Sequence, residues 1–340
     1  MVGERSAKRL FSGRPLLARI GMLVLLSMTD PGLAVTATNA AQSDTDRPTR
    51  FSGDRLTESW RTLRVERPAP ASGAELQSGA LLMARSLDRP WDEETERAWR
   101  ARGFTTRAIS LGGDPCHAVG ESAEARRGRG YFIFCPTRSD AGLLLAPHAF
   151  ADRLTGEIAA WLAVEGHFRG VAWNTAHRAA WALDDHEGTP AGVGHAAEAS
   201  NGHADLAHVE ESYFTALTRA AVVVGVSGPT VQIHGFAVHR RKSEAGRRAR
   251  AILSAGNRLP QDHVRATTSC LVEELGEGFM AYPEDVDELG GTRNRVGALL
   301  RSWGRQDFLH VELSHALRLR LVAQPEVRST LLDCLGGQAS

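Results

Sequence analysis

GLLLAPHAFADRLTGEIAAWLAVEGHFRGVAWNT, residues 142–175, decides the fold class. Gly142–Pro147 is a short, wholly apolar run of the kind buried on both faces of a sheet. A helix follows from Arg153 to Val164, with Leu154, Ile158, Trp161 and Leu162 on one face. Gly170–Thr175 reads as the next strand. Strand, helix and strand in this order make a crossover unit, and a chain built of such units folds as a parallel sheet covered on both sides.

Working outward, the pattern repeats. A loop rich in Gly, Ala, Asp and His fills residues 184–204. A helix over Leu206–Ala221 turns Tyr213, Phe214 and Leu217 inward, and strands are predicted at Val222–Val226 and Thr230–His234. A helix over Glu244–Ser254 precedes a strand at His263–Thr267. A helix near Arg293–Trp303 precedes the strand Phe308–Leu313, and helices rich in Leu and Arg close the chain. Upstream, a helix spans Asp92–Ala101 and strands lie near Thr105–Leu111 and Tyr131–Cys135. The expectation is an α/β fold, with a largely parallel, mixed sheet and helices on both faces. Residues 76–340 form one domain, of which 76–140 are a lead-in and 141–320 the core. Residues 41–75, polar and rich in Pro, Ser and Asp, read as a linker with one short helix near Leu56–Leu63.

The N-terminus has the three parts of a secretory signal. Lys8, Arg9, Arg14 and Arg19 precede the apolar run Ile20–Met28, and small residues around Ala37 and Ala40 offer cleavage sites. Residues 1–40 are therefore expected to direct export, and the apolar run is too short to span a bilayer. Nothing later resembles a membrane span. The chain carries 40 basic and 40 acidic side chains; five basic and two acidic ones lie in the first forty residues, so a cleaved chain stands near −3. No basic stripe points to nucleic acid. The cysteines, Cys116, Cys135, Cys270 and Cys334, form no Cys-x-x-Cys pair, which argues against a thiolate zinc ribbon or a thioredoxin motif. In an oxidising compartment Cys116 and Cys135 can close a hairpin, whereas Cys270 and Cys334, both in helical patterns, read equally well as buried thiols.

Nine of the thirteen histidines fall between His148 and His239. In open α/β sheets ligands bind beyond the carboxyl ends of strands. His148 follows one strand, His234 ends another, and Glu312 lies in the last. Imidazoles and a carboxylate from strand ends make an N/O donor set that suits zinc. A carboxylate ligand is still needed: Asp152 reads as a ligand or as a helix N-cap, with Glu157 as its substitute. Asp205 reads as an N-cap, and His208 beside it faces either the core or the site. His177 and His310 flank strand ends and can orient other groups. The loop with His186, His195 and His203 reads as a lid or a solvated insertion. No nucleophile elbow, dinucleotide fingerprint, P-loop or His-Glu-x-x-His is present.

APHAFAD (146–152), Asn174 with Arg178, QIHGF (232–236) and VEL (311–313) occur in that order. This order resembles N-formylglutamate amidohydrolases and, more distantly, zinc carboxypeptidases, over about residues 141–320. The resemblance implies a carboxypeptidase-like phosphorylase/hydrolase fold and one zinc ion held by His148, His234 and a carboxylate. It also implies a substrate carboxylate bound near Asn174 and Arg178, and Glu312 as general base; His208 is a further candidate for substrate binding from its own position. Two departures stand out. The third residue after His148 is Ala151 where carboxypeptidases have Glu, and Asn174 and Arg178 are four apart rather than adjacent. The expected activity is hydrolysis of an amide bond in an N-acyl amino acid, a peptide or a γ-glutamyl-type substrate. The alternative is an exported ligand-binding protein that keeps the fold without catalysis.

Overall fold

The computed structural model of the chain describes residues 48–180 and 204–336. The export signal expected in residues 1–40 and His186, His195 and His203 lie outside them. Within the described residues β1 (Thr49–Arg50) is followed by α1 (Gly53–Arg61), α2 (Gly73–Asp88) and α3 (Glu93–Arg100). Next come β2 (Phe104–Leu111), β3 (Asp114–Glu121), β4 (Tyr131–Phe134) and β5 (Gly142–Ala146). Then α4 (Thr155–Glu165), β6 (Phe168–Trp173), α5 (Tyr213–Val223) and β7 (Thr230–Phe236) follow. The last part holds α6 (Glu244–Arg248), β8 (Ala251–Ser254), α7 (Asp262–Leu275), β9 (Phe279–Ala281), α8 (Arg295–Ser302), β10 (Phe308–Ser314), α9 (His315–Ala323) and α10 (Pro325–Cys334).

The strands form one mixed sheet in the order β1-β2-β3-β4-β6-β5-β7-β10-β8-β9. Its centre, β6-β5-β7-β10, is parallel throughout. GLLLA sits at the middle of this block and every residue of β5 is buried. Helices α1, α4, α7, α9 and α10 pack on one face, over a core that includes Trp60, Ile158, Leu162 and Val311. Helices α2, α3, α5 and α8 cover the other, around Met83, Trp99, Phe214 and Leu217. Strand β5 has the strand that follows it, β6, on one side and β7 on the other. That reversal of winding opens a crevice above the carboxyl ends of β5 and β7.

Several local expectations fail, each for a physical reason. The stretch read as linker does carry its expected short helix, as α1, but it also adds β1 to the sheet and buries Phe51, Leu56 and Trp60; three large apolar side chains outweigh its polar composition. Val222–Val226 is the end of α5 and a turn, because Ala220 and Ala221 continue the packed helix face and Gly225, at φ +69°, ends it. The β-branched run His263–Thr267 lies inside α7, where Val264, Thr268 and Leu271 recur at helical spacing on the buried side. The helix expected over Glu244–Ser254 stops at Arg248 and gives way to β8. The helix expected from Leu206 begins at Tyr213, behind a capping box formed by Ser212 and Thr215. Strands β3 and β9 were not legible at all.

Cys116 and Cys135 form a disulfide across β3 and β4, as the hairpin reading allowed. Cys270 and Cys334 are not free thiols: they join α7 to α10. Their sequence separation is 64 residues against 19 for the first bridge. Loop-closure entropy then assigns ~4 and ~3 kcal/mol to the two. Both bridges are compatible with an oxidising compartment. No helix among the described residues is long and apolar enough to cross a membrane.

Candidate metal centre

The crevice above β5 and β7 is a cleft of about 840 Å³. His148 opens the turn after β5, and the Asp152 N–H donates to the His148 carbonyl at 2.8 Å, which brings the two side chains together. Asp152 does not cap α4. The N-cap is Leu154, at φ +73° and without a side-chain cap bond. A bulky residue in the left-handed region costs on the order of 1–3 kcal/mol, and here that conformation leaves the Asp152 carboxylate free to face the cleft. Gly235 N–H donates to Asp152 Oδ2 at 3.1 Å and holds it there. Glu157, the substitute ligand, is on the far side of α4, paired with Arg61 of α1.

The sheet register places the remaining groups. Glu312 of β10 lies opposite His234 of β7, and His310 lies opposite Gln232. His148 Nδ1 is 3.1 Å from His234 Nδ1 and 3.3 Å from Asp152 Oδ2, and His234 Nδ1 is 3.6 Å from that same oxygen. Three donor atoms thus enclose one point. The far side of each imidazole is engaged: His148 Nε2 lies 2.8 Å from Asp205 Oδ1, and His234 Nε2 lies 2.9 Å from Gln232 Oε1. A carboxylate and an amide oxygen only accept, so both Nε2 atoms carry the proton. Both Nδ1 lone pairs then face each other and the Asp152 oxygen, an arrangement that repels unless a cation sits among them. The donor set therefore fits a metal ion, with the outer shell that metal-bound histidines usually have.

The electrostatics agree with that reading. Burial pulls the His148 imidazole down, but hydrogen bonds to Asp152 and Asp205 and their charge outweigh it, so its pKa is raised. That direction favours a proton at His148 Nδ1, between the Asp152 oxygen and His234 Nδ1. Burial pushes the Asp152 and Asp205 carboxyls up, yet their histidine partners hold both well below the usual carboxylate range. Burial lowers His234 to about 4 and keeps His310 neutral. Burial, and then the Asp152 charge, lift Glu312 to about 8. A carboxyl whose pKa lies near neutrality suits a proton acceptor.

Two expected substrate residues, Arg178 and His208, line the cleft. The Arg178 guanidinium is half-exposed, 3.9 Å from Asp152 Oδ1. His208 Nδ1 is 3.0 Å from Asp205 Oδ2. Asn174 does not reach the cleft. It is fully buried, its amide donating to the Pro147 and Ala204 carbonyls and accepting from the Ala176 N–H, so it anchors the His148 turn instead.

Sequence reasoning missed four supports. Asp205 caps no helix; it orients His148. Gln232 orients His234, and Asn294 holds Gln232. Arg318 is buried under the cleft and donates to the carbonyls of Arg153, Phe236 and Ser314, tying the Asp152 turn to the end of β7. Only Gln232 left a local trace, since it shares a strand face with His234.

No family model matches the chain, and comparison with curated proteins gives no match. Among solved structures, LapA aminopeptidase of Legionella pneumophila is similar at a TM-score of 0.38 and 8% identity, over 85% of this chain and 72% of that one. A gene product of Agrobacterium tumefaciens is similar at 0.36 and 14%, over 58% of this chain and 89% of that one. Likeness at this level establishes neither a family nor an activity.

Proposed function

We propose that the chain is a zinc-dependent hydrolase of an amide bond, with one ion held by His148, Asp152 and His234. The observation that carries this is the convergence of two Nδ1 atoms and one carboxylate oxygen on a single point at the edge of an open cleft. Zinc–nitrogen and zinc–oxygen bonds of ~2.1 Å in a tetrahedron put neighbouring donors about 3.4 Å apart, and the three observed separations straddle that value. Three protein donors leave a position open, as in catalytic rather than structural sites.

When bound, the ion supplies Lewis acidity, polarising a carbonyl and making a water acidic near neutral pH. Glu312, on the strand beside His234, takes a proton from water and returns it to the departing amine. Its buried setting keeps bulk solvent away from that exchange. Arg178, half-exposed at the rim, holds a substrate carboxylate as a planar fork. The substrate is thus an N-acyl amino acid, a peptide or a γ-linked glutamyl compound, and Arg153, Arg240 and Arg293 around the cleft add to its attraction for anions. The two disulfides support export of the enzyme.

The test is a screen of N-acyl amino acids and γ- and α-linked peptides against zinc-loaded protein. Release of a free amine, abolished by chelation and restored by zinc, supports the proposal. Tight binding of these compounds with no turnover would make the chain a binding protein.

A further inference from the structure

We infer that Asn294 and Gln232 form a fixed relay that sets the tautomer of His234, and so decides whether its Nδ1 can bind a cation. The inference deepens the metal-site reading above and rests on it for its consequence. The geometry of the relay stands without it.

The relay starts at a backbone amide. The Gly297 N–H, in the first turn of α8, points at the Asn294 side chain at 3.2 Å. A backbone N–H only donates, so the atom facing it is Asn294 Oδ1. The other end of that amide is Nδ2, a donor, and it is bonded to Gln232. The Gln232 atom it meets must accept, so it is Oε1. The same Oε1 lies 2.9 Å from His234 Nε2, which must therefore carry its proton. A neutral imidazole has one N–H, and His234 Nδ1 is left bare, facing His148 and Asp152. The cap of one helix thus decides which nitrogen of a residue on β7 faces the cleft.

Burial makes the relay obligatory. Asn294, Gln232 and His234 are all at most 3% exposed, so bulk water does not replace a lost partner. Among the described residues Gln232 Nε2 has no hydrogen-bond partner, and the amide's orientation comes from the two donors at Oε1. Turning it over would set Nε2 against both. The start of α8 also reaches the other half of the centre: Arg295 N–H donates at 2.8 Å to Ala207, two residues from Asp205, which orients His148.

Asn294→Asp tests the relay. Aspartate caps a helix as well as asparagine does, so α8 keeps its cap; above the pH at which this carboxyl ionises, which the start of the helix favours, both its oxygens only accept. Gln232 must then turn to offer Nε2 to Asp and to His234, and the proton of His234 moves to Nδ1. Three readouts follow: the imidazole nitrogen shifts of His234 in metal-free protein, the zinc dissociation constant by chelator competition, and the melting temperature. The relay predicts an Nδ1–H signal, an affinity loss of at least about 10-fold, and a melting temperature close to wild type. Asn294→Ala removes cap and donor together; it should melt lower, show a mixture of tautomers, and lose less affinity than the Asp variant. Should the Asp variant not fold, a pure Nε2–H tautomer in the Ala variant overturns the inference. So does an Asp variant with the Nε2–H tautomer. If the wild type binds no zinc, the metal-site reading fails, while the tautomer shifts still decide the relay.

Discussion

The two halves of the candidate centre are built differently. The β7–β10 half carries Gln232, His234, His310 and Glu312 on adjacent strands, at positions set by a backbone ladder of seven register pairs. The other half hangs on the turn after β5. There His148 and Asp152 are placed by side chains from elsewhere: Asp205, 57 residues on, and Arg318, 165 residues beyond Arg153. A ladder positions a side chain whatever its neighbours are, whereas a turn must be tied down bond by bond. The strand half should therefore keep its side chains in place when a partner group is changed, with the tautomer of His234 at stake rather than its position, and the turn half should not.

The largest effect should come from the strand half, and through chemistry rather than placement. Glu312→Gln keeps shape and register but loses the proton acceptor, so turnover should fall by at least ~10²-fold with zinc binding intact. Unchanged turnover per folded molecule would show Glu312 to be structural. Next comes the turn half. Asp205→Ala frees the far side of His148 and should weaken zinc binding by about 10–100-fold, read by competition with a chelator. A loss below about threefold would mean that the turn holds itself and that the contrast between the halves is wrong.

What the sequence made legible follows the same division. Strand periodicity shows that His310 and Glu312 share a face, and the strands at residues 142–146, 230–236 and 308–314 lie close to where their apolar runs put them. The order His148, His234, Glu312 follows from strand ends. Asp205 and Asn294 were not legible, because their partners are 57 and 62 residues away and a side-chain pairing over that distance leaves no local period. Asp152 looked like a cap because it stands just before a helix; only the left-handed backbone at Leu154 shows otherwise. Strand β3 was hidden by Pro115, Cys116 and Gly120, and α7 by its valines and threonines.

A smaller effect concerns pH. Glu312 is held protonated up to about 8 in the folded chain, while an unfolded glutamate ionises near 4.3. The unfolded state therefore releases a proton first, and the metal-free protein should lose stability as pH rises from about 4.3 through 8. Glu312→Gln should flatten that part of the curve, so the two melting temperatures diverge between pH 5 and 8. Parallel curves would place the Glu312 carboxyl in a more solvated setting than the buried one described.

Two Nδ1 atoms and one carboxylate oxygen are proposed to hold a single zinc ion. Metal analysis of protein purified without chelator tests it most directly, with wild type beside His148→Ala and His234→Ala. About one zinc per chain is expected in the wild type, the occupancy of a single site of this donor set, and its loss from both variants. A metal-free wild type that does not take up added zinc, or full occupancy in either variant, would contradict it.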